Sequence, residues 1–132
     1  MTYQVLFDSR QRVLVARSGP ALTEESTKAV RAVVRRFVAR AGAMPMISDF
    51  SAVTSVDLSP AFVTELARQG PVSGGVLVVV APNASAFAHS RMFELQVDRP
   101  KANTHVVRSL DEAYRILAID PPTLEPVVLP EA

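Results

Sequence analysis

Along these 132 residues, apolar side chains recur at a spacing of two in some segments and of three and four in others, and the two patterns take turns. A chain written this way commits itself to strands alternating with helices, and so to helices packed on a mainly parallel sheet. Tyr3 to Phe7 and Val13 to Ala16 read as strands joined by the polar stretch Asp8, Ser9, Arg10, Gln11 and Arg12, an opening β-hairpin. Gly19-Pro20 breaks the chain, and Thr23 before Glu24 and Glu25 caps a first helix. Val30, Val33, Val34, Phe37, Val38 and Ala41 form its buried face, and Gly42 ends it. Met46 to Phe50 is a short buried strand, and Ser59-Pro60 opens a helix over Ala61 to Arg68 with Phe62, Val63, Leu66 and Ala67 inward.

After the breaks at Gly70-Pro71 and Gly74-Gly75, Val76 to Val80 has the β-branched content of a central strand. A helix from about Ala84 to Val97 follows, with Phe87, Ala88, Arg91, Met92 and Leu95 on its inner side or the edges of that side and Glu94 and Gln96 outward. Thr104 to Arg108 is the fifth strand, and Ser109 with Glu112 has capping-box spacing before a last helix carrying Ala113, Ile116 and Leu117. The expected fold is α/β: a four- to five-stranded, mainly parallel sheet with an N-terminal hairpin, covered by about four helices, in one domain over 1–119. Pro121, Pro122, Pro126 and Pro130 make 120–132 an extended or disordered tail.

A chain of this size buries roughly 65 to 70% of its unfolded surface, enough for a cooperative core without staples. It contains no cysteine, which excludes thiolate nucleophiles, redox switching and cysteine-bound zinc and fits a reducing cytoplasm. Met1 to Asp8 lacks the basic, apolar and small-residue parts of a signal peptide, and the apolar run Val76 to Pro82 falls far short of the roughly 20 residues that cross a bilayer. A cytoplasmic location and no membrane span are expected. Fourteen basic and thirteen acidic side chains leave a formal charge of +1, so no global field selects nucleic acid as partner.

Ligand sites in open α/β sheets gather beyond the carboxyl ends of parallel strands, which here feed the loops Ser51 to Ser59 and Pro82 to Ser85. The first runs Asp49, Phe50, Ser51, Ala52, Val53, Thr54, Ser55, Val56, Asp57, Leu58, Ser59 and ends on a helix. A strand ending in Asp-x-Ser-x-Val, then Asp-x-Ser at a helix mouth, resembles the bacterial anti-sigma-factor-antagonist (STAS) family, especially its SpoIIAA-like branch. Phe87-Ala88-His89-Ser90-Arg91-Met92-Phe93 and Arg108-Ser109-Leu110-Asp111-Glu112-Ala113 are similar to that branch too, so the resemblance spans most of Tyr3 to Ile119.

The resemblance implies a regulatory protein-interaction module with a protein partner and a phospho-acceptor at Ser59, in a switch loop holding Asp49, Ser51 and Asp57. A phosphate at a helix N-terminus would meet free backbone N–H groups and alter docking. Leu58 and Pro60 stand where the family has a second serine and a glycine, and Asp57 lies beside the new charge. The alternative is a plain helix cap at Ser59, with Asp49 and Asp57 ordering the loop. The branch also includes domains similar to lipid carriers, which implies an apolar small molecule held between helix and sheet against Phe62, Leu66, Phe87, Met92 and Phe93. The same side chains serve equally as ordinary core.

An enzyme would have to draw on His89 or His105 as base, with Ser85, Ser90 or Asp57 beside them. His89 follows Ser85 by four residues and could meet it on one helix face, but no nucleophile motif accompanies the pair. No metal-ligand spacing, phosphate loop or dinucleotide fingerprint is present, so neither catalysis, cofactor nor metal is expected. Lys28, Arg31, Arg35, Arg36 and Arg40 line the outer side of the first helix, a basic surface for an anionic partner or a solvated face. Without exposed aromatics among them, nucleic acid is not the expected partner. Val127, Val128 and Leu129 in the tail could be lent to a second copy, making a homodimer.

Overall fold

The computed structural model describes residues 3–97 and 103–127. In chain order the elements are β1 (Tyr3–Asp8), β2 (Val13–Ser18), β3 (Ala21–Thr23), α1 (Glu24–Ala41), β4 (Met44–Asp49), β5 (Ser55–Asp57), α2 (Pro60–Gln69), β6 (Gly74–Val80), α3 (Ala84–Gln96), β7 (Thr104–Val107), α4 (Leu110–Leu117) and β8 (Glu125–Pro126). Among the described residues a six-stranded sheet runs β7-β6-β4-β2-β1-β8, and β3 pairs with β5 in a separate parallel ribbon. The hairpin β1–β2 and the β1–β8 pair are antiparallel, whereas β2–β4, β4–β6 and β6–β7 are parallel.

From β2 to β4, β4 to β6 and β6 to β7, each crossover moves to the adjacent strand in the same direction. Connections of one hand then place their helices on one face of the sheet. The core divides accordingly. On that face Leu14, Ala16, Met46, Leu77 and Val79 pack with Val34 and Phe37 of α1 and Ala86 and Phe93 of α3. On the other, Val15, Ile47, Val78 and Val80 meet Leu110, Ala113, Tyr114 and Leu117 of α4. Consecutive strand residues thus serve opposite layers, which is why the central strands are apolar throughout.

The caps fall where small polar residues stand. Thr23 Oγ1 accepts from the Ser26 N–H at the start of α1, Ser59 Oγ from the Phe62 N–H at α2, and Ser109 Oγ from the Glu112 N–H at α4. Asn83, absent from the expected caps, accepts from the N–H groups of Ser85 and Ala86 and opens α3. Gly74 (φ 80°) and Gly75 allow β6 to pass close to β4: a Cβ on Gly75 would lie 2.7 Å from the Met44 carbonyl.

Three elements lie outside the sequence expectation. β3 and β5 are three-residue strands whose Ala-Leu-Thr and Ser-Val-Asp carry no readable period. β8 belongs to the tail: Leu6 pairs with Pro126, Phe7 with Glu125, and the Val127 N–H donates to Val5 O. Residues 120–127 are therefore extended along the edge of the molecule's own sheet, with Val127 packed on the core of the same chain. Val128 and Leu129 lie outside the described residues. Asp8 and Gln11 anchor this segment. Asp8 accepts from the N–H groups of Arg10, Gln11 and Thr123, and Gln11 exchanges hydrogen bonds with the Asp120 backbone. Those bonds, foremost from the Gln11 backbone, hold the Asp8 carboxyl at about 2, below its ordinary 3.8.

The inner face of α3 agrees with the expected one only in part: Phe87 packs against the core. Ala86, Ser90 and Phe93 turn inward, while Ala88 is exposed, Met92 is 36% exposed and Leu95 62%. Apolar residues occur all round this helix, so periodicity could not choose its inner face.

Candidate functional site: a cavity between sheet and helices

A cavity of about 120 Å³, partly open to solvent, lies between the sheet and the layer formed by α1, α2 and α3. Its floor is a row of side chains from neighbouring strands: Ala16 on β2, Met46 and Ser48 on β4, Leu77 and Val79 on β6. They share one face because residues two apart on a strand point the same way. The roof consists of Val30 and Arg31 from α1, Val63 and Leu66 from α2, and His89, Ser90 and Phe93 from α3. Phe50 and Leu58, from the segment between β4 and α2, close one side. The cavity persists because Ala16, Ser18, Ser48 and Ser90 are small where the surrounding layers are bulky. The lining is mostly apolar, with polar groups at separate points, as in a small-molecule site.

Those polar groups differ in how they are engaged. Ser26 Oγ and Thr27 Oγ1 both donate to Thr23 O, within the cap of α1. The hydroxyls of Ser48 and Ser90 have no hydrogen-bond partner among the described residues, although Ser90 is only 6% exposed. Arg31 donates through Nη2 to the Gly70 carbonyl (3.2 Å) and the Gln69 side-chain oxygen (3.3 Å), at the C-terminal end of α2. Burial lowers the pKa of this guanidinium below its ordinary value, and the neighbouring charge of Arg35 adds to that. Of the wall expected from sequence, Leu66 and Phe93 line the cavity, whereas Phe62, Phe87 and Met92 do not. Phe62 instead lies under the Lys28 ammonium (5.8 Å to the ring centroid) and Phe87 under the Arg108 guanidinium (4.2 Å).

Comparison of the chain with protein families, curated proteins and solved structures finds no match.

The expected switch loop separates into two pieces that share no hydrogen bond or ion pair. Asp49, 6% exposed, accepts from the Ser51 N–H (2.9 Å) and hydroxyl and lies 3.7 Å from Arg17 Nε. It projects toward the α4 side, where its charge, after burial, contributes to raising the Tyr114 pKa. Asp57 is exposed on β5, in register with Thr23 of β3. Ser59 is exposed, caps α2 through its hydroxyl and donates its N–H to Glu24 Oε2 (3.3 Å). Instead of a free polar loop, the segment is held by β5, by the bonds from Thr54 and Ser55 N–H to Pro20 O, and by buried Val53.

The basic row is also divided: Lys28, Arg35, Arg36 and Arg40 are exposed, while Arg31 turns to the cavity and α2. His89 Nδ1 lies 2.9 Å from the Ser85 backbone carbonyl, so its ring donates there, and no bond joins it to the Ser85 hydroxyl. His105 lies on β7, and no group of three or more acidic or histidine side chains able to hold a metal occurs among the described residues. Within them, no helix is long and apolar enough to cross a membrane.

Proposed function

We propose that this chain is a non-enzymatic, cytoplasmic regulatory domain of STAS-like, SpoIIAA-like architecture that binds a small apolar molecule between its sheet and its helices. The cavity above Ala16, Met46, Leu77 and Val79 carries this reading. Its volume of about 120 Å³ approaches the roughly 150 Å³ at which dry aliphatic cavities take up benzene. The architecture is supported by the opening hairpin and by the crossovers that advance strand by strand in one direction. Titration with toluene, followed by amide NMR, tests the binding. Shifts are expected at Ala16, Met46, Leu77, Val79 and Phe93. A spectrum unchanged at these amides up to saturating toluene would refute it.

A second reading, in which a protein partner is controlled through Ser59, is favoured by one observation. The exposed Ser59 hydroxyl caps α2, a wall of the cavity, and its N–H is held by the Glu24 carboxylate. A phosphate there would add about two negative charges beside Glu24 and would disturb the joint between α1 and α2. Native mass spectrometry of the protein from its own source is the test. A phosphate mapped to Ser59 or a stoichiometric protein partner supports the switch, and an unmodified chain alone speaks against it.

A further inference from the structure

The polar groups around the cavity are unevenly satisfied, and their chemistry narrows what the cavity takes. Arg31 forms no ion pair with a carboxylate among the described residues; its acceptors are two neutral oxygens, and both bonds use Nη2. Nη1 and Nε therefore keep donors on either side of the guanidinium, each able to meet one carboxylate oxygen in a charge-assisted hydrogen bond. Contact with Gly70 O and Gln69 fixes the guanidinium at the cavity wall and limits the rotamer entropy a ligand would otherwise have to restrain. Ser90 supplies a second, independent sign: the residue is 6% exposed, lines the cavity, and its hydroxyl has no hydrogen-bond partner among the described residues. A hydroxyl without a partner in the protein is available to bond a ligand in the cavity. Both donors share the cavity with the apolar floor of Met46, Leu77 and Val79.

We propose that the cavity takes a small apolar monoanion, a short-chain or single-ring carboxylate, whose body lies on the sheet and whose charge is met by Arg31. This assignment rests on the cavity reading above and adds the head group to it. Arg31 is only partly buried, so the carboxylate would keep some of its water and avoid the full cost of burying a charge.

The test is calorimetric titration with three probes of one chain length: hexanoate, hexanol and hexylamine. Hexanoate should bind at least about tenfold more tightly than hexanol, the factor expected of a charge-assisted hydrogen bond. Hexylamine should bind most weakly, and this ordering requires no variant. Arg31→Gln should abolish the preference for hexanoate over hexanol, a ratio in which any loss common to both probes cancels. Ser90→Ala should weaken hexanoate binding several-fold. Hexanol binding with no preference for hexanoate overturns the anion assignment, a preference that survives Arg31→Gln overturns the assignment of its charge to Arg31, and either leaves the cavity reading standing. If none of the three binds, both fall.

Discussion

Replacing Ala16 with isoleucine fills the proposed cavity from its floor and makes the sign of a stability change diagnostic. Ala16 lies on β2 with its side chain toward the cavity, and a β-branched residue suits a strand. Isoleucine adds three carbons, which at about 0.8 kcal/mol per buried methylene gives a ceiling of about 2.4 kcal/mol. The cavity gives a similar figure: about 120 Å³ at about 24 cal/mol per Å³ is about 3 kcal/mol. Because the space is partly open, a gain of about 1 to 2 kcal/mol is expected. With a urea slope of about 2 kcal/mol per M, that raises the unfolding midpoint by roughly 0.5 to 1 M. Toluene affinity should fall at least about tenfold in the same variant. A packed interior at this point would respond oppositely, losing about 1 to 3 kcal/mol to overpacking. A destabilised variant that binds toluene as the parent does would refute the reasoning.

Gly75→Ala should cost about 1 to 3 kcal/mol in urea unfolding, because its Cβ would meet the Met44 backbone at 2.7 Å and force β4 and β6 apart. At Gly70, where φ is +75° and ψ −176° and nothing lies within 4 Å of a Cβ, alanine should cost only the backbone strain, about 1 to 3 kcal/mol. Asp8 is held at about 2 in the folded chain against an ordinary 3.8, so its contribution is complete above 3.8 and disappears as pH falls toward 2. Unfolding measured from pH 5 to pH 2 should show that loss, and Asp8→Asn should flatten it while lowering stability at neutral pH. Ser59→Ala should lower stability by about 1 kcal/mol through loss of the α2 cap. Ser59→Asp should keep the cap yet meet Glu24, giving a smaller thermal shift together with changed partner binding if the switch reading holds.

The opening hairpin and the helix caps at Thr23, Ser59 and Ser109 were legible because each depends on near neighbours in the chain. So was the strand Val76 to Val80, where β-branching and the flanking glycines act locally. The site was legible only in part. Leu66 and Phe93 line the cavity as expected, whereas Phe62, Phe87 and Met92 share the aromatic or sulfur character of such a wall but lie outside it. Ala16, Ser48 and Ser90 carry no local signal of a cavity, since smallness marks one only when the bulky neighbours are known. Arg31 looked like one more cation in a solvated row, and only the seat of α2 beside α1 separates it from Arg35.

By itself the sequence determined the class of fold and the order of its principal elements, because hydrophobic period, capping and turn chemistry are encoded within a few residues. Tertiary structure alone decided that the tail lies on β1, that 51–59 is pinned to the start of α1, and which side of α3 faces inward. It alone made a cavity between two layers. Each of these depends on residues distant in the chain meeting in space, and no local pattern records which partners they will meet.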